Sequence, residues 1–238
     1  MFQLLDRVRL EIKEGGVVWT GTLALEKTLK TLGWKNTWAV RQRFLDREGI
    51  SYDRKHKVKT YGVTGKASTE RRGYEAISVL HFNKVMRRLP IRHESYTFID
   101  VGCGKGRPLF LASEFPFKQI IGVEYSPSLC DVARSNIESF HSDRQRCFHI
   151  DVVESDACEY VVPDGPLVVF LFNPFGEDLM RKFVTGLAHS LSRAPRHMII
   201  IYCLGVHANV FRECVSFREL IEPPFGSDPW VSFFESCP

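Results

Sequence analysis

The sequence lacks the features that mark membrane, secreted and metal-binding chains. None of its apolar runs approaches the roughly 18 continuous residues of a membrane span. The N-terminus has no long apolar run either, so we predict no secretory signal. The seven cysteines are scattered, odd in number and without a C-x-x-C pair, which argues against a zinc site or a disulfide framework. A reducing, cytoplasmic setting is therefore expected, with no metal and no membrane partner.

The net charge, the lack of repeats and the chain length exclude fewer classes of protein. The formal net charge is only +4, and the chain contains no internal repeat and no low-complexity tract. A hydrophobic fraction of 44% with 18 phenylalanines is enough to build a sizeable core. For 238 residues, one large domain with an extension is favoured over two full domains.

The most informative segment is a short apolar strand that runs into a glycine-rich turn. Residues 98–106 read FIDVGCGKG, with Asp100 two positions before the first of three alternating glycines. Glycine has no Cβ, so the backbone can turn tightly there and a ligand can lie against it. Such turns at the carboxyl end of a parallel strand bind nucleotide-like ligands in open α/β sheets. The dinucleotide fingerprint G-x-G-x-x-G does not fit, because Arg107 stands where its third glycine would be.

Further strands along the chain also end in polar residues. Residues 119–124 form an apolar strand ending at Glu124, where a carboxylate can accept hydrogen bonds from both hydroxyls of a ribose. A strand at 147–152 leads to Ser155-Asp156, and six consecutive apolar residues at 167–172 run into Asn173-Pro174-Phe175. The remaining pattern predicts helices at 126–140, 177–191 and 206–214, and strands at 196–204, 216–222 and 230–235. Strands that alternate with helices predict a doubly wound α/β domain.

Over about residues 90–238, these motifs resemble those of the class I S-adenosylmethionine-dependent methyltransferases. The resemblance implies a seven-stranded Rossmann-like sheet with an antiparallel last strand, and S-adenosyl-L-methionine as the cofactor. It places the ribose on Glu124 and the adenine on Asp156 and Ala157, whereas Cys103 is interpreted as a small space-filling residue in the glycine loop. The implied cofactor-binding residues are Asp100, Gly102, Cys103, Gly104, Gly106, Glu124, Tyr125, Asp156, Ala157, Asn173 and, in the extension, Tyr74.

The tripeptide Asn173-Pro174-Phe175 is similar to the Asn-Pro-Pro-aromatic motif of amino-group methyltransferases, although it lacks the second proline. The resemblance implies that these three residues are catalytic and that the acceptor is an amine nitrogen of a protein or a small molecule. Methyl transfer would be a direct displacement, for which the enzyme mainly positions the acceptor. For an oxygen acceptor, His81, His149 and Tyr202 are the candidate general bases.

Residues 1–90 are predicted to be a mainly helical N-terminal extension, and residues 91–238 the catalytic domain. Helical patterns occur at 2–13, 19–32, 37–47 and 68–89, and they are separated by a segment with several basic residues at 54–59. We expect residues 49–74 to form a mobile lid over the cofactor, because long irregular segments often have this role. The run FLDREGI at 44–50, followed by a loop, a helix and FIDVGCGKG, resembles a group of bacterial class I methyltransferases of unassigned substrate. That resemblance implies a tyrosine near the cofactor, for which Tyr74 is the nearest match and Tyr61 the second.

The sequence is also compatible with two other functions. The basic loop at 54–59 could bind a phosphate backbone, which would make the chain a nucleic-acid methyltransferase, or it could attract an acidic small molecule or protein surface. The same fold could also serve as a non-catalytic nucleotide-binding or nucleic-acid-binding module, because fold alone does not establish activity. The sequence defines neither the acceptor nor the oligomeric state.

Overall fold

The structure is a computed structural model that describes residues 50–60, 76–225 and 230–237. Over these residues a seven-stranded sheet has the order β3-β2-β1-β4-β5-β7-β6. The strands are β1 Thr97–Val101, β2 Gln119–Glu124, β3 Ile150–Glu154, β4 Leu167–Phe172, β5 Met198–Cys203, β6 Phe217–Glu219 and β7 Val231–Ser236. Strands β1 to β5 are parallel to one another, and β7 is antiparallel to both β5 and β6. The predicted Rossmann-like methyltransferase sheet with an antiparallel last strand is confirmed.

Helices connect the strands, and several of them begin at residues that stabilise a helix N-terminus. Their bounds are α1 Val79–Met86, α2 Arg107–Ala112, α3 Pro127–Ser139, α4 Glu177–Arg193 and α5 Asn209–Glu213, with a short 3-10 helix at His93–Ser95. The amide of His81 donates to the hydroxyl of the N-cap residue Ser78 at 3.4 Å. Helix α3 has Ser126 as its N-cap and proline at its first position, where a missing amide hydrogen costs nothing. Two acids in the first turn of α4 favour its N-terminus.

Several boundaries differ from the sequence prediction. Strand β3 begins at Ile150 rather than at residue 147, and α5 begins at Asn209 because residues 206–208 form turns. Residues 76–78 are not helical, since Ser78 caps α1 there. Residues 50–56 are helical although we predicted no periodic structure, so the basic segment is a helix end, a turn at Lys57 and a short irregular stretch rather than a loop throughout. The predicted helices at 2–13, 19–32 and 37–47 lie outside the described residues.

The two faces of the sheet each bury a hydrophobic cluster. Phe98 and Phe170 contribute to one cluster, together with α1 and α2, whereas Ile99 and Val169 contribute to the other, together with α4 and α5. Burial on both faces explains why the parallel strands read as continuous apolar runs. Phe82 of α1 lies 5.3 Å from Phe170 between ring centroids, so this helix packs directly on the sheet. The division into residues 1–90 and 91–238 stays a prediction.

The sheet brings the candidate site residues to one edge. Val101 pairs with Val123 on one side and with Leu171 on the other, so β1, β2 and β4 end at the same level. Glu124 at the end of β2 pairs with Glu154 at the end of β3. The glycine loop, Glu124 and Asn173 therefore follow directly on neighbouring strands at the carboxyl edge of the sheet. Among the helices described, none is long and apolar enough to cross a membrane.

Candidate functional site

The glycine loop adopts a backbone that explains the alternating glycines. Gly102, Gly104 and Gly106 have φ angles of 77°, 54° and 89°, all in the left-handed region that favours glycine. The amides of Gly102 and Cys103 donate to the Val123 carbonyl at 2.8 and 3.1 Å, which fixes the loop against β2. Gly106 then leads into α2. The loop is thus a preformed turn whose backbone can lie close to a ligand.

Glu124 anchors this loop as well as facing the site. Its side chain is buried, and its Oε2 accepts a hydrogen bond from the Gly104 amide at 3.0 Å. Its Oε1 accepts one from the Ser126 amide at 2.9 Å. A carboxylate oxygen has two lone pairs, so each oxygen keeps an acceptor site for a ribose hydroxyl. Ribose binding by Glu124 stays a prediction, whereas its contact with the loop is a structural role that the sequence did not suggest.

Asp100 lies beneath the loop with an unsatisfied oxygen. Its side chain is 2% exposed, and Oδ2 has no hydrogen-bond partner within the described parts of the chain. Burial raises the pKa of this carboxyl well above its usual range, and the nearby charge of Glu124 raises it further. A buried anion without a partner is unfavourable, so a cationic ligand group would satisfy it. This fits S-adenosylmethionine, which carries an ammonium and a sulfonium.

Cys103 points into the core rather than into the site. The side chain is buried, and burial raises the pKa of its thiol well above the usual range, so the reactive thiolate is disfavoured. A Cβ placed on Gly122 would lie only 2.6 Å from the Cys103 sulfur. Cys103 therefore fills the space that Gly122 leaves open, in agreement with its interpretation as a space-filling residue.

The residues predicted to hold the adenine lie beside the end of β2. The Ser155 amide donates to the Glu124 carbonyl at 3.0 Å, which brings the turn after β3 next to the ribose candidate. Asp156 Oδ1 accepts a hydrogen bond from the Cys158 amide at 2.9 Å, so its carboxylate also stabilises that turn. The Tyr125 side chain is exposed at the same edge. Adenine binding by Asp156, Ala157 and Tyr125 stays a prediction.

Asn173 and Pro174 adjoin the glycine loop, whereas Phe175 does not face the site. A Cβ placed on Gly102 would lie 3.2 Å from the Pro174 Cβ. Asn173 has a φ of 45°, and its Oδ1 accepts a hydrogen bond from the Tyr202 hydroxyl at 3.4 Å. Phe175 is 7% exposed and packs against Phe183 with ring centroids 5.7 Å apart. Because its ring belongs to the core cluster around α4, this placement does not support stacking on a substrate.

The three candidate bases lie in different places. Tyr202 is fully buried, and its hydroxyl donates to Asn173 Oδ1. The His149 carbonyl accepts a hydrogen bond from the Ile120 amide at the beginning of β2, which puts His149 at the opposite edge of the sheet. His81, in the first turn of α1, lies 6.4 Å from Trp230 between ring centroids. Tyr74, Tyr61 and most of the predicted lid lie outside the described residues.

A buried arginine near the loop was missed by sequence reasoning. Arg107 is 1% exposed and begins α2, directly after the glycine loop. Its guanidinium donates to Thr60 Oγ1 at 2.7 Å, to Asp53 Oδ1 at 2.9 Å and to the Ile77 carbonyl at 3.3 Å. The one sequence signal was its position, where a dinucleotide fingerprint would have glycine. Its partners are distant along the chain, so that signal did not identify them.

Asn136 of α3 connects the glycine loop with residues 50–60. Its Nδ2 donates to the Lys105 carbonyl in the glycine loop at 3.0 Å, and its Oδ1 accepts a hydrogen bond from the Lys59 amide at 2.8 Å. Together with Arg107, this side chain holds residues 50–60 against the loop. Part of the N-terminal extension is thus attached to the backbone that would contact the cofactor.

The fold and this loop define a Rossmann-like domain with a nucleotide-type site, and comparison with known proteins identifies its class. Residues 98–194 match the family model of a methyltransferase domain. A similar solved structure is a candidate RNA methyltransferase from Pyrococcus horikoshii, with 16% identity, coverage of 81% of this chain and 97% of that chain, and a TM-score of 0.51. At this identity the likeness shows the fold.

Two N-methyltransferases of known structure are also similar. NodS from Bradyrhizobium japonicum WM9 has 14% identity, coverage of 66% and 94%, and a TM-score of 0.44. The glycopeptide N-methyltransferase MtfA has 11% identity, coverage of 67% and 89%, and a TM-score of 0.48. No curated protein sequence matches this chain. Together, the domain match over residues 98–194, the sheet order and the motifs indicate an S-adenosylmethionine-dependent methyltransferase with S-adenosyl-L-methionine as its cofactor.

Proposed function

We propose that this methyltransferase transfers its methyl group to a nitrogen that Asn173 orients. The observation that supports the proposal is the contact between the tripeptide and the glycine loop, where Pro174 lies against Gly102. A cofactor held along that loop would present its methyl group near the end of β4. Asn173 is the first residue after that strand, and its amide is half-buried at the same edge.

The amide oxygen of Asn173 suits an amine acceptor. Methyl transfer is a direct displacement, in which the nitrogen lone pair attacks the methyl carbon and the carbon–sulfur bond breaks. An oxygen that accepts an N–H hydrogen bond turns the lone pair of the same nitrogen in a defined direction. Pro174 has no amide hydrogen that could compete for this oxygen. The acceptor proton is then lost to water or to a base after transfer.

Tyr202 is a positioning residue for Asn173 in this proposal. Its hydroxyl donates to Asn173 Oδ1, and this contact fixes which end of the amide is the acceptor. The oxygen has a second lone pair, which remains for the substrate N–H. Since the Tyr202 ring is fully buried against Phe211, its position is set by the core rather than by the ligand.

The test compares Asn173→Ala and Tyr202→Phe with the unmodified enzyme. Extract from the source cells is incubated with radiolabelled S-adenosylmethionine and separated into protein, RNA, lipid and small-molecule fractions. We expect Asn173→Ala to reduce labelling by about 100-fold or more, and Tyr202→Phe by a smaller factor, because positioning is lost. Calorimetry with S-adenosylhomocysteine should give nearly unchanged affinities for both variants.

Two results would contradict the proposal. One is normal turnover by Asn173→Ala, which would leave the tripeptide as a strand-terminating turn. The other is a product that carries its new methyl group on oxygen or carbon, as determined by mass spectrometry and NMR of the labelled fraction. Phe183→Leu is the matched control, since it alters packing near Phe175 without changing a polar group of the site.

A further inference from the structure

The exposed side chains of residues 54–59 all carry positive charge. We call the four exposed cations the basic ridge; they are Arg54, Lys55, Lys57 and Lys59. The side chains between and beside them point into the protein; these are Tyr52, His56, Val58 and Thr60. The sequence shows a basic segment, but only the structure shows that His56 and Val58 are buried while the four cations are exposed.

The basic ridge is fixed to the protein through its buried members. His56 Nδ1 lies 2.6 Å from the His141 carbonyl, and its ring lies 4.5 Å from the Tyr52 ring and 5.5 Å from the Phe140 ring. The Lys59 amide is bonded to Asn136. Such contacts hold the backbone that carries the cations before any partner binds, which reduces the entropy that binding must overcome.

The ridge is not neutralised by nearby acids. Within the described parts of the chain, none of its four cations has an ion pair. Asp53 is the single acid of residues 50–60, and it is engaged by Arg107 and by the Thr60 hydroxyl and amide. Four adjacent positive charges without counter-charges create a local potential that attracts a polyanion.

We propose that the basic ridge binds the sugar-phosphate backbone of a nucleic-acid strand. Three of the four cations are lysines, which bind phosphates as point charges but are depleted in protein–protein interfaces. Membrane-surface helices place several large apolar side chains beside their cations, whereas Ile50 is the single exposed large apolar residue of residues 50–60 and the residues between these cations are buried in the protein. The charge pattern therefore fits a phosphate backbone better than an acidic protein or a lipid surface.

The ridge leads towards the cofactor loop. Thr60 follows Lys59 and is bonded to Arg107 at the beginning of α2, and Asn136 joins the Lys59 amide to the Lys105 carbonyl. A strand that follows the ridge would thus approach the carboxyl edge, where the methyl group is transferred. Nucleobases carry exocyclic amino groups, so such a strand could supply the nitrogen acceptor. This last step rests on the proposed function, whereas binding to the ridge does not.

The experiment measures binding without cofactor or turnover. Fluorescence anisotropy with a labelled single-stranded RNA oligonucleotide of mixed sequence is recorded for the full chain over a series of potassium chloride concentrations. Four phosphate contacts to a single strand predict a log–log salt slope near −3 from the ridge. The Gln variant, with Arg54→Gln, Lys55→Gln, Lys57→Gln and Lys59→Gln, should lose this contribution to the salt slope and bind about 10-fold to 100-fold more weakly at low salt.

Two controls separate charge from folding and from general basicity. A variant that keeps the charges, with Arg54→Lys, Lys55→Arg, Lys57→Arg and Lys59→Arg, should bind RNA like the unmodified chain. Lys182→Gln removes an exposed cation from α4, far from the basic ridge in sequence. It should leave the affinity for RNA unchanged, whereas Lys57→Gln should lower it. Unchanged affinity for S-adenosylhomocysteine in all variants shows that they are folded.

The binding of RNA to the Gln variant decides whether the proposal holds. Loss of RNA binding in the Gln variant alone supports the proposal, even if no labelled acceptor is found in the RNA fraction. The same affinity for RNA in the Gln variant would overturn it. So would tighter ridge-dependent binding to polyglutamate, or to vesicles of phosphatidylserine and phosphatidylcholine, than to RNA.

Discussion

At the scale of single residues, a glycine outside the glycine loop controls how closely that loop packs. Gly122 lies in the middle of β2, where Asp100 of β1 is its partner. A Cβ there would meet the Cys103 sulfur at 2.6 Å and Leu109 Cδ1 at 2.9 Å. Real Cβ atoms do not approach other atoms this closely, so the loop and α2 depend on the missing side chain.

Gly122→Ala should therefore lower the free energy of unfolding by about 1–3 kcal/mol, the usual cost of overpacking a core. Urea denaturation measures this change. The matched control is Gly186→Ala in α4, where nothing lies within 4 Å of the added Cβ. In an exposed helix position, Ala should increase stability by about 0.5–1 kcal/mol. Equal effects of both substitutions would show that the close approach at Gly122 is not important.

Asp100 makes stability depend on pH. Its pKa in the native protein lies well above the value of 3.8 for the free side chain, because burial disfavours the anion. Between these two pKa values the native state keeps a proton that the unfolded state has released. The free energy of unfolding should therefore fall as pH rises through this window.

Asp100→Asn removes this titration. Its stability should exceed that of the unmodified, ligand-free protein by an amount that is small near pH 4 and increases as pH rises. Urea denaturation at several pH values measures both curves. Parallel curves would mean that Asp100 does not carry the raised pKa. The same substitution should weaken the binding of S-adenosylmethionine, since it removes the carboxyl group that a cationic ligand group would stabilise as an anion.

At the scale of elements, one side chain connects helix α2 with two separate segments. Arg107 is bonded to Asp53 and Thr60 on one segment and to the Ile77 carbonyl on another. A buried charge that loses its partner costs far more than the pair contributes, so these elements are held together by a specific arrangement.

Arg107→Met should destabilise the protein by about 3–5 kcal/mol, because Asp53 is left as a poorly solvated charge. Asp53→Asn combined with Arg107→Met should recover part of this loss, so the two substitutions should be strongly non-additive. A double-mutant cycle by urea denaturation measures the coupling. Simple additivity would contradict the direct pairing seen in the structure. Arg181→Met is the control, since its ion pairs are exposed and should contribute little.

At the scale of the whole molecule, the cofactor should stabilise the fold. The glycine loop, Glu124 and Asp156 follow or end three different strands, so a cofactor held by residues from all three would bind only the native state. At 100 times its dissociation constant, S-adenosylhomocysteine should add about 2.7 kcal/mol to the free energy of unfolding. Thermal denaturation with S-adenosylhomocysteine and with NAD tests this. A larger shift with NAD would contradict the cofactor assignment.

The sequence alone determined the elements whose signals are local. Strands β2 and β4 occur with the bounds that their apolar runs predicted, and the sheet has the predicted strand alternation. The alternating glycines identified the loop, because each occupies a backbone conformation that other residues rarely adopt. A continuous apolar run followed by glycine or an acid needs no distant partner to be recognised. These local patterns were enough for the fold and the cofactor class.

The tertiary structure alone decided which side chains meet. Arg107 is 47 and 54 residues from Thr60 and Asp53, and Tyr202 is 29 residues from Asn173. Phe175 follows Asn173 and Pro174 directly, yet it turns into the core while they lie at the loop. Such outcomes depend on the direction of each side chain and on packing between segments that are distant in sequence. No local pattern records these long-range contacts, so the sequence located the edge of the sheet but not the side-chain network around it.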